Sequence, residues 1–254
     1  MKKLLRDEIA KTLPDSIELI YYGKTDSTNK RAKEYAAGKE TIAPTLFIAA
    51  SQSDGRGRLG RSFLSDEGGI YMSLLMPAED VMPTEITCRV AVAASVYLEK
   101  KYGLKVLIKW VNDLYVNDKK LAGILTEGVF DENGKLRYYI VGMGINVYKN
   151  SDLTTNLPIA TTIEDALGKK VDINELASGL AVETACASRY ENPISEYRRR
   201  CLTVGRKVTV CGYGESYGAR CIGVEDDYSL SVERESDGER LRIFTGEVSV
   251  RPSE

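Results

Sequence analysis

"VLIKWVNDLYVNDKKLAGILTEGVF", residues 106–130, joins two apolar runs through a turn signal. Val, Ile, Leu and Tyr dominate the runs, and the polar pair Asn117 and Asp118 lies between them, with Lys120 close after it. Apolar runs that flank such a pair are typical of a β-hairpin. The stretch therefore predicts a strand, a tight turn at Asn117 and Asp118, and a strand that returns beside the first.

Strand-like segments also lie on both sides of this hairpin. They are "IELIYYGKT" (17–25), "TLFIAASQ" (45–52), "IYMSLLMP" (70–77) and "YYIVGMGINV" (138–147). Gly142 and Gly144 interrupt the side-chain pattern of the last segment. Glycine inside a strand indicates either a simple bulge or the close approach of a ligand or another backbone. Both explanations stay open at the level of the sequence.

Helical segments alternate with these strands. Leu5, Ile9 and Leu13 recur every four residues and predict a short N-terminal helix. The stretches "DSTNKRAKEYAAG" (26–38) and "TEITCRVAVAASVYLEKKYG" (84–103) predict helices that stop at their final glycines. Capping-box spacing at Thr161 with Glu164, and at Asp172 with Glu175, predicts two more helix starts.

The polar residues that precede the second helix have two explanations. Asp26, Ser27 and Thr28 are all good helix caps, and capping alone accounts for them. Spare hydroxyl and amide groups at a helix start can also hold a ligand. The sequence by itself does not choose between these explanations.

The C-terminal part differs in character from the rest. From about Val204 the chain consists of short alternating runs broken by Gly and Asp, which is typical of a small antiparallel barrel or sandwich. Helical "PISEYRRRCL" (193–202) would join it to the preceding part. We therefore predict an α+β domain over 1–201, with a mixed, largely antiparallel sheet flanked by helices, and a β domain over 202–254.

Composition removes several functional classes. The chain has 254 residues, 43% of them hydrophobic, and a net charge of −2, which argue against disorder and against a surface made for nucleic acid. It has no histidine, so a Ser-His or Cys-His hydrolase is excluded. Five cysteines without a CxxC pair suit reduced thiols. No secretion signal or long apolar run is present, so we expect a cytoplasmic protein without a membrane partner.

One loop concentrates positive charge in this nearly neutral chain. "SQSDGRGRLGRSF" (51–63) places three arginines among three glycines, but it has neither the Walker A order nor the dinucleotide fingerprint. Glycines free backbone N–H groups to approach an anion, and each guanidinium offers a fork of donors. Alone, the loop fits an anion site, a solvated loop or an RNA contact equally well.

Five motifs together narrow these possibilities. They are "DSTN" (26–29), "SQSDGRGRLGR" (51–61), "KWVNDLYVNDKKLAGIL" (109–125), "GMGINV" (142–147) and "GEVSVR" (246–251). In order and spacing the set resembles the biotin protein ligases, the biotin--[acetyl-CoA-carboxylase] ligase family. The resemblance implies a catalytic domain like that of class II aminoacyl-tRNA synthetases, followed by a small SH3-like β-barrel. It also implies that biotin is activated with ATP and Mg²⁺ to biotinyl-5′-AMP, with release of pyrophosphate, and then attached to a lysine of a biotin carboxyl carrier protein.

The resemblance also assigns residues by position. It implies catalytic roles for Lys120, beside the reacting carboxylate and α-phosphate, and for Arg58 in a loop that folds over the adenylate. The implied biotin-binding residues are Ser27, Thr28, Asn29, Gln52, Arg56, Gly57, Arg58, Lys120, Gly123 and Gly142. The implied ATP-binding residues are Arg61, Phe63, Asn112, Asn146 and Arg251, with Phe63 placed to stack on adenine.

Some positions stay open or depart from the family pattern. Asp113 either holds the metal or closes the turn, so no metal ligand is assigned. Val111 stands where proline is common, and Met143 lies between two glycines where a small or aliphatic residue is usual. Neither departure removes a functional group.

Alternatives to this hypothesis remain. A lipoate-protein ligase would share the acyl-adenylate chemistry, and a non-enzymatic RNA-binding protein would use the arginines on phosphates and the β tail as a platform. Only 26 residues precede Ser27, too few for a helix-turn-helix domain beside the first strand, so we expect a monofunctional ligase without a DNA partner. An edge strand can pair between subunits, which leaves a homodimer open.

Overall fold

The computed structural model describes residues 3–39, 42–79, 81–149, 159–212, 215–244 and 247–250. Its helices are α1 Arg6–Ala10, α2 Thr28–Ala36, α3 Pro83–Tyr102, α4 Ile163–Leu167, α5 Ile173–Ala185 and α6 Pro193–Arg200. Its first seven strands are β1 Glu18–Tyr22, β2 Thr45–Ala49, β3 Gly69–Pro77, β4 Leu107–Lys109, β5 Asp113–Val116, β6 Lys119–Phe130 and β7 Leu136–Asn146. The others are β8 Lys207–Gly212, β9 Glu215–Val224, β10 Leu230–Arg234, β11 Arg240–Ile243 and β12 Glu247–Val250.

The first seven strands form one mixed sheet in the order β1-β2-β3-β7-β6-β5-β4. Only the β1–β2 pair is parallel, and each of the other neighbouring pairs is antiparallel. The predicted hairpin turn is present: Asn117 and Asp118 have φ angles of 52° and 57°, the left-handed values that a tight hairpin turn requires. The prediction of an α+β fold with a largely antiparallel sheet is confirmed.

Helices cover both faces of this sheet. On one face α3 packs against β6 and α5 against β3, and together they enclose the main apolar core. On the other face α2 packs against β2, β3 and β7 around a second, smaller core that includes Phe47, Leu75 and Ile140. The helices α2 and α3 end as predicted, since Gly38 and Gly103 have φ angles of 73° and 72°.

Three local predictions need correction. The apolar run before Asn117 is two strands, because the chain turns at 110–112 and β4 pairs antiparallel with β5. Leu5 is 49% exposed, and the preceding Leu4 is buried in its place. The first capping box starts one residue later than predicted, since the Thr162 hydroxyl accepts the N–H of Asp165.

The last five strands form a separate antiparallel sheet in the order β11-β10-β9-β8-β12, as the alternating tail predicts. Hydrogen bonds join it to the larger part of the chain. The indole N–H of Trp110 donates to the backbone oxygen of Tyr228 (2.9 Å), and Arg198 Nε donates to the oxygen of Val224 (2.7 Å). The domain boundary after Cys201 stays a prediction.

A buried arginine strengthens the helix that precedes this sheet. Arg200 is 3% exposed and donates through Nε to Glu196 (2.6 Å) and through Nη2 to Glu99, while Nη1 donates to the backbone oxygen of Val106 (3.1 Å). Hydrogen bonds from Arg199 and Arg200 lower the pKa of Glu196 to about 2. The carboxylate is therefore more stable as an ion in the folded state than in the unfolded chain.

All five cysteines are free thiols, as predicted. Within the described ranges, no helix is both long enough and apolar enough to cross a membrane.

Candidate active site

The strand register of the large sheet brings three glycines together, and they form the floor of a depression. Gly142 and Gly144 lie two residues apart on β7, so they point to the same face. Gly144 pairs with Gly123 on β6, and Gly142 pairs with Ser73 on β3, without a bulge at either position. Because paired residues share a face, the three glycines open a depression on the face that α2 partly covers.

Two protein side chains enter the space that these glycines leave. A Cβ atom built on Gly142 would lie 2.2 Å from Asn29 Oδ1, and one on Gly144 would lie 2.6 Å from Cε1 of Phe63. The bulge explanation is therefore wrong, and close approach is the reason for both glycines. The Asn29 amide from α2 and the Phe63 ring from residues 51–63, which we call the arginine loop, are the groups that approach them.

A chain of polar groups forms one wall of the depression. The backbone N–H of Thr28 (2.8 Å) and its hydroxyl (3.1 Å) donate to Gln52 Oε1, while Gln52 Nε2 donates to Ser65 Oγ (3.0 Å). The buried Ser73 hydroxyl lies 2.7 Å from Thr28 Oγ1 and 2.6 Å from Asn29 Oδ1. These hydrogen bonds fix the orientation of side chains that come from α2, the segment after β2, and β3.

The polar residues at the start of α2 have different roles. Ser27 is the N-cap residue, but its side chain makes no capping hydrogen bond. Asp26 Oδ1 instead accepts the N–H of Ser27 (2.7 Å), and Asp26 Oδ2 pairs with Lys30 and Arg31. These bonds hold the pKa of Asp26 far below its usual range, with the bond from Lys30 contributing most. Asp26 therefore secures the helix, and the hydroxyls of Ser27 and Thr28 line the depression.

The arginine loop is a narrow, hairpin-like loop that lies over the site. Arg56 and Ser62 make a β-bridge, and the N–H of Gly57 donates to the oxygen of Arg61 (2.7 Å). At its tip Leu59 has a φ of 55° and is 68% exposed, and Gly60 has a φ of 74°. The loop base is held by backbone hydrogen bonds to the residues just before α2.

The loop arginines occupy different positions. Arg56 lies at the exposed rim and pairs with Asp54 (2.9 Å). Arg58 reaches across the cleft, where its Nη1 donates to Asn112 Oδ1 at 3.5 Å. Because Asn112 is itself fixed through Nδ2 to the oxygen of Ile124 (2.8 Å), Arg58 connects the loop tip to the turn between β4 and β5.

Lys120 lies opposite the loop. Its Nζ pairs with Asp113 Oδ1 at 2.8 Å and lies 5.9 Å from the centroid of the Phe63 ring. Lys120 and Asp113 are both partly buried, at 29% and 19% side-chain exposure, so water screens their interaction less than on an open surface. The ion pair fixes the lysine at the edge of the glycine floor.

The structure brings most of the predicted site residues into one cleft. Its lining includes Ser27, Thr28, Asn29, Gln52, Arg56, Gly57, Arg58, Arg61, Phe63, Asn112, Lys120, Gly123 and Gly142. Asn146 is not among the lining residues, because its side chain is buried and its Nδ2 donates to the oxygen of Thr161 (3.2 Å). Arg251 lies outside the described residues.

Several other lining residues were not among the predicted catalytic, biotin-binding or ATP-binding residues. These are Leu59, Ser62, Met72, Lys109, Trp110, Ile124, Leu125, Met143, Gly144 and Val248. All of them except Ser62 and Met72 lie within the five motifs, and the motif positions were the signal that could have found them. Val248 on β12 also shows that the C-terminal sheet contributes to the cleft.

The cleft contains little to bind a metal on its own. Among the described residues no group of three or more acidic or cysteine side chains could hold an ion. Asp113 is the acidic residue in the described lining. Mg²⁺ is commonly held by one or two carboxylates together with substrate phosphates, so this donor set fits a metal that enters with a nucleotide.

Chemically, the cleft combines a polar, hydrogen-bonding wall with cationic groups at one end. Lys120, Arg58 and Arg61 can balance the charge of carboxylate or phosphate groups. The Phe63 ring adds an aromatic face beside them. Such a cleft suits a ligand that is neutral and polar at one end and anionic at the other.

The fold and this arrangement define the class to which the molecule belongs. The biotin protein ligase of Aquifex aeolicus, solved in complex with biotin and ATP, superimposes with a TM-score of 0.77 at 26% identity, covering 93% of this chain and 99% of that one. The chain thus has the architecture of the biotin protein ligases.

Sequence comparison then gives the family. The model of the biotin/lipoate A/B protein ligase family matches residues 22–146. The chain is 39% identical over 228 residues to the bifunctional ligase/repressor BirA of Bacillus subtilis, covering 85% of this chain and 69% of that protein. It is 28% identical over 222 residues to the biotin--[acetyl-CoA-carboxylase] ligase of Mycobacterium tuberculosis, covering 82% and 80%. The chain belongs to the biotin/lipoate A/B protein ligase family.

Proposed function

We propose that this protein activates biotin with ATP to biotinyl-5′-AMP and transfers the biotinyl group to a lysine of a biotin carboxyl carrier protein. The observation that carries the proposal is the convergence of Lys120, Arg58 and the polar wall of Thr28 and Gln52 around one glycine floor. Relatives named as biotin ligases favour biotin over lipoate as the substrate.

The first step needs charge stabilisation more than a protein nucleophile. The carboxylate of biotin attacks the α-phosphorus of ATP, a P–O bond forms, and the bond to pyrophosphate breaks. Negative charge grows on the α-phosphate oxygens as this happens, and Lys120 provides the matching positive charge. Its ion pair with Asp113 holds the ammonium group in place before substrates enter, which lowers the cost of reorganisation.

The second step transfers the acyl group. The neutral amine of the carrier lysine attacks the carbonyl carbon of the mixed anhydride, an amide bond forms, AMP leaves, and the amine loses a proton. The anhydride is open to hydrolysis until then. Arg58 already reaches across the cleft to Asn112, and closure of its loop over the anhydride would exclude water.

We assign the two ends of the cleft to the two substrates. The hydrogen-bonded wall of Ser27, Thr28, Asn29 and Gln52 suits the polar head group of biotin. Phe63 presents an aromatic face with its centroid 5.9 Å from Lys120 Nζ, and we assign adenine to stack there. Arg61 and Asn112 lie at this end, and Asn146 would act only by supporting the floor, since its amide is engaged with Thr161.

Mg²⁺ is part of the proposal as a partner of the nucleotide. Asp113, the acidic residue of the described lining, would hold it beside the phosphates, where it would supply positive charge to the leaving group. We also infer a cytoplasmic location, which five free thiols support. A homodimer, the lack of a DNA partner, and an SH3-like domain after Cys201 remain predictions.

The test is biotinylation of a purified carrier domain. With biotin, ATP and Mg²⁺ we expect mass spectrometry to show one added biotinyl group on one lysine, and no lipoyl group when lipoate replaces biotin. Thermal shift with biotin, lipoate and an RNA oligomer is the companion measurement, because a ligand that binds the native state raises the melting temperature. Lipoylation of a carrier, or stabilisation by RNA alone, would refute the proposal.

A further inference from the structure

Glu127 contacts the polar wall of the cleft through Asn29, and it lies outside the five sequence motifs. Its Oε2 accepts a hydrogen bond from Asn29 Nδ2 at 2.6 Å. Glu127 lies on β6 and pairs with Ile140 on β7, so it shares the face of Gly142 two residues further along that strand. The Asn29 amide lies directly over Gly142 and reaches Glu127 from there.

This contact determines which way the Asn29 amide points. An ionised carboxylate only accepts hydrogen bonds, so the NH₂ group of Asn29 must face Glu127 and the oxygen must face Ser73. A Cβ atom on Gly142 would collide with the amide oxygen, so the glycine is required for this placement. Glu127 and Gly142 thus hold the amide from two sides.

The orientation of that amide affects the next groups in the wall. Asn29 Oδ1 and Thr28 Oγ1 both lie within reach of the single Ser73 proton, at 2.6 and 2.7 Å. With the Asn29 oxygen toward Ser73, the two acceptors share that proton. A reversed amide would donate to Ser73, whose proton would then go to Thr28 alone. The native orientation therefore leaves the Thr28 hydroxyl with more capacity to accept a hydrogen bond from a ligand.

We infer that Glu127 is a positioning residue that acts through Asn29 to keep this wall an acceptor for the N–H groups of a bound head group. The inference rests on the proposed function, in which the head group is the cyclic urea of biotin, whose nitrogens carry N–H donors. Glu127 itself does not line the described cleft and makes its effect without touching the substrate. It selects for a head group that donates hydrogen bonds.

The test variant is Glu127→Gln, which keeps the shape but offers Asn29 either an oxygen or an NH₂ group. Because a charged hydrogen bond is replaced by a neutral one of free orientation, we expect the Kd for biotin to rise roughly 5- to 15-fold. The kcat at saturating biotin and the KM for ATP should change less than about twofold, since the reacting atoms are untouched. Glu233→Gln on β10 is the matched control, and it should leave all three unchanged.

Two further measurements separate positioning from a general structural effect. Wild-type protein should prefer biotin over a derivative methylated at a ureido nitrogen, and Glu127→Gln should reduce that preference. In the background of Asn29→Ala, the Glu127→Gln change should have no further effect on the Kd for biotin. Melting temperatures of all variants monitor folding.

The outcomes distinguish the inference from the function on which it rests. If wild-type protein does not bind biotin in calorimetry, both are overturned. If it binds biotin and Glu127→Gln binds it with the same Kd, only the inference is wrong. A loss that is equally large with and without the Asn29 side chain would likewise overturn it, because Glu127 would then act by another route.

Discussion

Gly144→Ala tests how the glycine floor and the Phe63 ring cooperate. The added Cβ atom would lie 2.6 Å from Cε1 and 2.8 Å from Cζ of Phe63, closer than real Cβ contacts. The ring has to move, whereas the strand backbone at Gly144 has no positive φ and accepts alanine. The substitution therefore displaces one aromatic side chain from the nucleotide end of the cleft and leaves the polar wall in place.

The size of the effect follows from what the ring does. Stacking between a base and an aromatic side chain contributes about 1–3 kcal/mol, which corresponds to roughly 5- to 150-fold in Kd. We expect the Kd for ATP to rise within that range, toward the lower end if the ring shifts only slightly. The Kd for biotin should change by less than about threefold, because the three atoms nearest to the added methyl group all belong to the Phe63 ring.

Isothermal calorimetry with ATP and with biotin measures both values directly. Gly223→Ala is the matched control, because a Cβ atom there would meet nothing within 4 Å. Phe63→Ala should reproduce the loss of ATP affinity, and the double variant should lose little more than either single one. Unchanged ATP affinity in Gly144→Ala, or a larger effect on biotin than on ATP, would refute the assignment of this end to adenine.

Three further outcomes are expected. Arg58→Ala should still form the adenylate but release it faster by roughly 10- to 150-fold, which corresponds to the loss of a charged hydrogen bond of about 1.5–3 kcal/mol. Rapid-quench experiments measure both the synthesis and the off-rate of the adenylate. Abolished synthesis with an unchanged off-rate would place Arg58 in the chemistry instead. The folded-state pKa of Glu196, about 2, lies below its ordinary value of 4.5, so its stabilisation is complete above about pH 4.5 and is lost as pH falls toward 2. Urea unfolding of Glu196→Gln should therefore lose less free energy between pH 6 and pH 3 than wild type, and equal losses would contradict this. Trp110→Phe leaves the Tyr228 oxygen without its donor and should lower the free energy of unfolding by about 1–2 kcal/mol in urea titrations followed by circular dichroism, whereas no loss would show that this contact adds little.

Features with a local signal could be predicted from the sequence. The turn at Asn117 and Asp118 was predictable because those residue types tolerate left-handed backbone. The ends of α2 and α3 were predictable for a similar reason, since glycine occupies the left-handed position at Gly38 and Gly103. These signals act within a few residues and do not depend on the rest of the fold.

Features that depend on distant partners could not be predicted in this way. The break between β4 and β5 coincides with Trp110, whose backbone N–H donates to Thr203 and whose indole donates to Tyr228, both far along the chain. No local sequence pattern predicts the contacts of Trp110 with Thr203 and Tyr228. The role of Asn146 stays a prediction: its motif position implies a nucleotide contact, and the structure shows its Nδ2 donating to the oxygen of Thr161.

The site was predictable as a set of residues but not as a geometry. Alternation shows that Gly142 and Gly144 share a face, but only the strand register reveals that Gly123 joins them. Glu127 carries no motif, and its partner Asn29 is 98 positions away. Motif resemblance therefore found many of the residues that line the cleft and gave no sign of Glu127, which accepts a hydrogen bond from one of them.

The exchange of labelled pyrophosphate into ATP tests the central claim most directly, because it reports reversible adenylate formation without a carrier protein. We expect exchange that requires biotin, is not supported by lipoate, and falls about 100-fold or more in Lys120→Ala, by analogy with the loss of one transition-state donor. The melting temperature of that variant should stay close to wild type, since Lys120 is partly exposed and pairs with Asp113 at the cleft edge. Exchange that is independent of biotin, or that Lys120→Ala supports at the wild-type rate, would contradict the account.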